Sequence, residues 1–324
     1  MFSLAEIEAA HELVRSAVPP TPNHFWPLLS ARLEAEVVVK HENHTPTGAF
    51  KVRGGLTYLD GLSHSAARPS GVISATRGNH GQSVAFAARR VGMKATILVP
   101  NGNSVEKNAA MRAFGAELIE HGSDFQAARE EALRLAAERD LHMVPSFHRD
   151  LVLGVATYGL ELMREHGDID TLYVPIGLGS GICGCIAARD ALGLRTEIVG
   201  VQAELAPAYA LSFEAGRPIS TETCDTFADG MATRVPDADA LSVMLAGAAR
   251  IVTVGEDEIA AAIRHYWTDT HNLAEGAGAA ALAAALKEGA RNRGRKVGLV
   301  LSGGNIDLAL FSALVSPETT ADAA

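Results

Sequence analysis

A chain of 324 residues with 48% hydrophobic, 20% charged and 5% aromatic side chains can bury two moderate cores, since one core seldom grows beyond about 250 residues. A formal charge of −10, with 28 Lys and Arg scattered along the chain, excludes the concentrated basic footprint that a nucleic-acid partner needs. No apolar run reaches membrane-spanning length, and Met1 to Ala17 reads as an amphipathic helix carrying Glu6, Glu8 and Glu12 rather than an export signal. The expected location is therefore cytoplasmic, with no membrane partner.

Strand-like and helix-like runs then alternate along the chain. The β runs are Val37–Lys40, Val72–Ala75, Ala95–Val99, Glu117–Glu120, Leu172–Pro175, Glu197–Val201 and Val297–Leu301. Helix-length segments include His80–Val91, Asp124–Arg139, Leu151–Glu165 and Ile182–Leu192, and Ser123 with Gln126 has the form of a capping box. This βαβα order predicts an α/β fold with parallel-rich sheets covered by helices. Residues 63–148 read as a small mobile domain with three strands, set between two pieces, 1–62 and 149–324, that join into a larger domain. A cleft between the two would open and close over a ligand. Ala277–Ala285 reads as a tightly packed buried helix, and the three cysteines, Cys183, Cys185 and Cys224, as reduced structural residues. Only the tail from Ser316 to Ala324 has the composition of a disordered segment.

Four stretches could carry chemistry. In Thr45-Pro46-Thr47-Gly48-Ala49-Phe50-Lys51-Val52-Arg53-Gly54-Gly55 a lysine stands between apolar residues. Burial would lower its pKa and free the amine as a nucleophile or Schiff-base former, although most such lysines only lay their stems on the surface. Thr76-Arg77-Gly78-Asn79-His80 follows a strand and opens a helix, a place for a small anion or for an ordinary turn capped by Asn79. Pro175-Ile176-Gly177-Leu178-Gly179-Ser180-Gly181 has the glycines that let backbone amides close on a phosphate. It also fits a rival, because Gly179-x-Gly181-x-x-Gly184 followed by Glu204 matches the nicotinamide-dinucleotide fingerprint of an NAD oxidoreductase. Finally, Ser302 in Ser302-Gly303-Gly304-Asn305 ends an apolar strand and could either bond a ring nitrogen or cap the next helix.

In this order the four stretches resemble the fold-type-II pyridoxal-phosphate enzymes of the threonine/serine dehydratase family, which also contains serine racemases, over about residues 20–310. The resemblance implies a two-lobed, tryptophan synthase β-like fold. It makes Lys51 the Schiff-base lysine with Phe50 beside it, and Asn79 the contact to the phenolic oxygen of pyridoxal 5'-phosphate. Gly177, Gly179, Ser180 and Gly181 become the phosphate loop, Ser302 the partner of the pyridine nitrogen, and Thr76, Arg77, Gly78 and His80 the surroundings of the amino-acid substrate. The implied reaction is α,β-elimination from a 3-hydroxy amino acid to a 2-oxo acid and ammonia, in amino-acid catabolism, by a homodimer. Further readings are a bulkier substrate such as 3-phenylserine or 3-hydroxyaspartate, a serine racemase, and a non-catalytic amino-acid sensor.

The departures from the family pattern carry expectations of their own. Ala49 replaces the usual serine before Phe50-Lys51, with a modest effect. Arg77 stands where racemases have a proton-handling serine, and a guanidinium that stays protonated is a poor acid or base, so weak racemisation is expected. Leu178 and Ser180 break the four-glycine phosphate loop. Around Val201-Gln202-Ala203-Glu204 the acidic cluster of cation-dependent relatives is missing, so no metal is expected, although Glu204 and Asp229 are available. His24-Phe25-Trp26-Pro27 could line a pocket for an aryl side chain or simply be a packed N-terminal arm. The regulatory domain of biosynthetic threonine dehydratases is absent, so no isoleucine feedback is expected.

Overall fold

The structure is a computed structural model that describes residues 1–316, and the tail expected to be disordered lies, beyond Ser316, outside the described residues. Among those residues ten strands form: β1 Asn23–Phe25, β2 Glu36–His41, β3 Gly71–Ala75, β4 Lys94–Val99, β5 Glu117–Glu120, β6 His142–Met143, β7 Thr171–Pro175, β8 Glu197–Ala203, β9 Arg250–Val254 and β10 Lys296–Leu301. They make two sheets, in the orders β1-β2-β10-β7-β8-β9 and β5-β4-β3-β6. All pairings are parallel except β1 with β2. Central strands such as β7 and β10 are apolar almost throughout because helices cover both faces of a parallel sheet.

All seven expected strands are present, and three more were not expected. β1 is a three-residue edge and β6 a two-residue one, too short for any periodicity to register. β9 is different: its Ile251-Val252-Thr253-Val254 run is β-branched and was within reach of sequence reasoning.

The helices are α1 Leu4–Arg15, α2 Pro27–Leu33, α3 Lys51–Ser63, α4 Asn79–Arg90, α5 Val105–Ala113, α6 Phe125–Arg139, α7 Arg149–Glu165, α8 Ser180–Ala191, α9 Ala208–Ala215, α10 Ala238–Gly247, α11 Glu256–Thr270, α12 Gly276–Lys287, α13 Gly289–Asn292 and α14 Leu308–Val315. The capping box expected at Ser123 does not form. Asp124 caps α6 by accepting from the Ala127 amide at 2.9 Å, while the Gln126 side chain turns to Glu130. A carboxylate is the stronger acceptor at a helix start, so the cap moves one residue on. Helix α12 is buried from Gly276 to Ala285, as its alanine run implied. Its small residues permit an approach that others would forbid: a Cβ on Gly278 would lie 2.2 Å from the Gly303 carbonyl oxygen. That contact seats the loop after β10 directly on the start of α12.

One apolar core packs α2, α11 and α12 on one side of the six-stranded sheet, and a second packs α7, α8 and α10 on the other. The four-stranded sheet is likewise sandwiched, by α3 and α4 on one face and by α6 on the other. All three cysteines are free thiols. No described helix is long and apolar enough to cross a membrane.

Candidate active site

Four chain crossings from strand to helix, after β2, β3, β7 and β10, deliver their loops to one cleft at the carboxyl ends of the parallel strands, where an open α/β sheet leaves a crevice. The loop after β10 pins the lysine loop. Phe50 N–H donates to the Ser302 carbonyl at 3.0 Å, Gly304 N–H donates to the Gly48 carbonyl at 2.9 Å, and Ala49 bridges Gly303. Thr45 Oγ1 accepts from Ala49 N–H at 3.0 Å and donates to its carbonyl at 2.8 Å, so a neighbouring threonine holds the backbone at the position where Ala49 lacks a hydroxyl. Lys51 then opens α3 with Nζ 4.8 Å from the centroid of the Phe50 ring. Burial pushes its pKa down to about 8, against the pull of the Glu275 carboxylate.

The cleft is lined by Lys51, Phe50 and Asn79, by the run from Gly177 to Gly181, by Gly230 and Glu275, and by Ser302. Gly179 adopts φ +101° as the N-cap of α8, with no side-chain cap bond, so the first amides of that helix remain free to face an anion. Gly177 lies so close to the Gly230 loop that a Cβ would sit 2.3 Å from the Gly230 carbonyl oxygen. Leu178, which breaks the glycine run, is held by its carbonyl accepting from Tyr209 Oη at 2.9 Å.

After β3, Thr76 Oγ1 accepts from Gly78 N–H at 3.0 Å and sets the turn into α4. Asn79 is fixed at both ends of its amide: Nδ2 donates to Glu275 Oε1 at 2.7 Å, and Oδ1 accepts from Asn305 Nδ2 at 2.8 Å. His80 is held neutral, its pKa pushed down to about 3 by burial and by the Lys51 charge, and its Nε2 has no hydrogen-bond partner. Arg77 is exposed and makes no hydrogen bond or ion pair among the described residues.

Behind Lys51 lies a buried charge cluster. Arg53 Nε and Nη2 donate to both oxygens of Glu42 at 2.7 and 3.0 Å, and Nη1 and Nη2 donate to Glu161 at 2.8 and 2.9 Å. Lys40 adds a 2.6 Å bond to Glu161, and Thr21 donates to Glu42 at 2.6 Å. Lys40 lies on β2, Glu42 in the turn just after it, Thr21 ahead of β1, Arg53 on α3 and Glu161 on α7, so the cluster clamps the helix that starts with Lys51.

Of the residues singled out from sequence, Lys51, Phe50, Asn79, Gly177, Gly179, Ser180, Gly181 and Ser302 share the cleft lining, while Thr76, Arg77, Gly78 and His80 belong to the turn beside it. The aromatic segment does not line the cleft. Trp26 Nε1 donates to His41 Nε2 at 2.9 Å, and the half-buried Trp26 packs against the core beside α2 instead. Glu204 is engaged by Lys287 at 2.9 Å and Asp229 by Lys107 at 2.6 Å, and among the described residues no group of three or more metal-ligating side chains is gathered. Glu275, Lys107 and Asn305 were missed as site residues. Asn305 ends the Ser302-Gly303-Gly304-Asn305 stretch. Glu275 could have been noticed as a lone carboxylate before an all-apolar helix, whereas nothing in sequence marks Lys107.

A desolvated amine, a helix start with uncapped amides, an aligned carboxamide and a buried serine hydroxyl suit an aromatic aldehyde bearing a phosphate, and the donor set therefore fits pyridoxal phosphate. They define a lysine-dependent aldehyde-cofactor enzyme. The chain belongs to the pyridoxal-phosphate dependent enzyme family, which it matches over residues 14–303. An L-threonine ammonia-lyase of Thermotoga maritima is 34% identical over 98% of this chain and 79% of that relative. The L-threo-3-hydroxyaspartate ammonia-lyase of Saccharomyces cerevisiae is 30% identical, with 95% and 94% covered. The solved structure of processed threonine deaminase isoform 2 from Solanum lycopersicum superposes with a TM-score of 0.90 at 30% identity, covering 96% of this chain and 91% of that one. The fold-type-II expectation therefore stands, and the NAD oxidoreductase reading of the Gly179-Gly181-Gly184 pattern is overturned.

Proposed function

We propose that this protein is a pyridoxal-phosphate-dependent dehydratase that converts a 3-hydroxy amino acid of the threonine/serine type into a 2-oxo acid and ammonia. The observation that carries this reading is the pairing, in one cleft, of a buried lysine of lowered pKa with the neutral hydroxyl of Ser302. When bound, the cofactor supplies a conjugated ring that takes up electrons as the α-proton leaves. Lys51 binds the aldehyde and, once freed by the substrate amine, takes that proton. Ser180 and the first amides of α8 hold the phosphate, and Asn79 orients the ring through its phenolic oxygen. Ser302 would face the ring nitrogen with a neutral hydroxyl, which cannot keep that nitrogen protonated as a carboxylate would, and this favours prompt loss of the β-hydroxyl. The proton for the leaving hydroxyl would come from the Lys51 ammonium formed in the first step or from the cofactor phosphate, since neutral His80 is a poor acid.

The test is the visible spectrum of the holoenzyme with L-threonine, L-threo-3-hydroxyaspartate and L-threo-3-phenylserine added in turn while 2-oxo acid is measured. A cofactor band that shifts without oxo-acid release would leave the sensor reading in place. A partnerless Arg77 beside the substrate turn favours a second reading, a substrate whose side chain carries its own carboxylate, as 3-hydroxyaspartate does. The same Arg77 predicts that L-serine is racemised at less than about a tenth of the rate at which it is eliminated. Chiral chromatography of the residual serine checks this, and Arg77→Ser is expected to raise racemisation. Gly177→Ala is expected to weaken pyridoxal-phosphate affinity at least tenfold with unchanged far-UV circular dichroism, because its Cβ collides with backbone rather than a flexible side chain.

Residues 63–148 are proposed to move as the small lobe that closes the cleft. A homodimer is proposed on the exposed apolar surface of α14, where Leu308 and Leu310 are exposed and Phe311 packs edge-on against the exposed Trp267, and analytical ultracentrifugation tests it. A cytoplasmic location is proposed on the reaction class. The catabolic role expected from sequence is not carried forward, since a 2-oxo acid is equally a biosynthetic precursor and amino-acid metabolism is the placement the family supports.

A further inference from the structure

The N-terminal turn of α5, which belongs to the four-stranded sheet, touches the other lobe at three points within four residues. Ser104 Oγ donates to Asp307 Oδ1 at 2.5 Å, Glu106 Oε1 accepts from Leu308 N–H at 2.9 Å, and Lys107 Nζ donates to Asp229 Oδ2 at 2.6 Å. The third contact enters the active site. Lys107 is 6% exposed, its stem runs over Gly78, and its ammonium lies 3.6 Å from Glu275 Oε2, an oxygen that otherwise has no partner. Glu275 in turn accepts from Asn79, which accepts from Asn305, whose amide also donates to the Thr47 carbonyl at 2.8 Å. One continuous line of polar contacts thus joins the edge of the small lobe to the loop that carries Lys51.

We propose that Lys107 is a positioning residue whose ammonium, set against Glu275 Oε2 when α5 docks, biases Glu275 toward its carboxylate form and so favours the Asn79 amide orientation that the cofactor requires. This rests on the dehydratase reading only in that Asn79 is taken as a cofactor contact. The charged and titratable groups that face Glu275 are Lys107, Lys51 and Asp229, with Asp307 acting on Lys107 and His80 beside Lys51. Burial raises the Glu275 pKa to about 7, Lys107 pulls it down, and Asp229 pushes it up. As a carboxylate, Glu275 can only accept, which aims the Asn79 N–H at it and the Asn79 oxygen at Asn305. Withdrawing Lys107 favours the protonated acid, which donates instead, and the Asn79 amide can then flip and lose its bond from Asn305.

The two charges that flank Glu275 have opposite expected effects. Lys107→Met should move the acid limb of the kcat/KM profile up by at least about one pH unit, Asp229→Asn should move it down, and Lys107→Arg should restore it. The same signs are expected in the pH dependence of pyridoxal-phosphate binding to the apoprotein, a readout independent of turnover. Uniform loss across pH in Lys107→Met, or shifts of the same sign in both variants, would overturn the proposal. If Lys107→Met does not fold, Asp229→Asn alone decides by the direction of its shift. Absence of turnover in wild type, with the binding shifts intact, would count against the dehydratase reading and not against Lys107.

Discussion

Lys51→Ala is expected to lower 2-oxo acid formation by about 10³-fold or more, because it removes both the cofactor linkage and the base. A steady-state assay with saturating pyridoxal phosphate measures this, and retention of activity would remove Lys51 from the chemistry. Lys51→Met carries a second, opposite consequence. In the apoprotein a buried ammonium is a cost, so this variant should be more stable than wild type by about 1–3 kcal/mol at pH 7. The sign follows from linkage: the folded-state pKa is lowered from 10.5 to about 8, so below pH 8 the cost is fully present. Between about 8 and 10.5 the folded state gives up its proton first, wild-type stability rises with pH, and the gap closes. Urea melts of the two apoproteins at pH 7 and pH 10 test the sign, and a pH-independent gap would contradict it.

Arg53→Met is expected to have the largest effect on stability. Arg53 is fully buried and, among the described residues, is the only group that bonds both Glu42 and Glu161, so its loss leaves two buried carboxylates with Lys40 as the remaining strong cation. Breaking such a cluster by removing one partner costs about 3–5 kcal/mol, a fall in Tm of roughly 5 °C or more for a chain of this size. Acid resistance should fall with it. Burial works to raise the Glu161 pKa, but the His11 bond and the Arg53 charge win and hold it well below the usual carboxylate range. That contribution is present above the ordinary carboxylate pKa and lost only as pH falls through the depressed value. The acid-unfolding midpoint of Arg53→Met, followed by circular dichroism, should therefore move to higher pH. Because Arg53 lies two residues after Lys51 in α3, activity should fall as well, and Glu161→Gln placed on Arg53→Met should recover part of the stability.

The legible part of the site was the part written in short stretches. Lys51, Asn79, Ser180 and Ser302 each follow a strand or a glycine turn within a few residues, and such turns look the same in any chain that builds them. The same locality misled where one pattern serves two ligands. Gly179, Gly181 and Gly184 answer the need of a strand-to-helix turn to meet an anion, and only the Lys51 amine and Ser302 hydroxyl across the cleft decide what that anion is attached to. Of the two readings of the aromatic segment, the packed arm holds and the aryl pocket does not, a choice that sequence leaves open since residue type suits Trp26 equally to a pocket or to a sheet edge.

The sequence by itself determined the alternation of strands and helices, the cofactor loops and the lysine, because hydrophobic period, turn chemistry and glycine spacing are local properties of a chain. Only the tertiary structure decided that Lys107, Asp229 and Glu275 share one charge balance, and that Lys40, Glu42, Arg53 and Glu161 share another. Whether a carboxylate is ionised, or a lysine is a nucleophile, depends on the dielectric and the charges within a few ångströms of it. Some of those neighbours, such as Glu161 beside Arg53 and Asp229 beside Lys107, lie more than a hundred residues away in the chain, and folding alone brings them together.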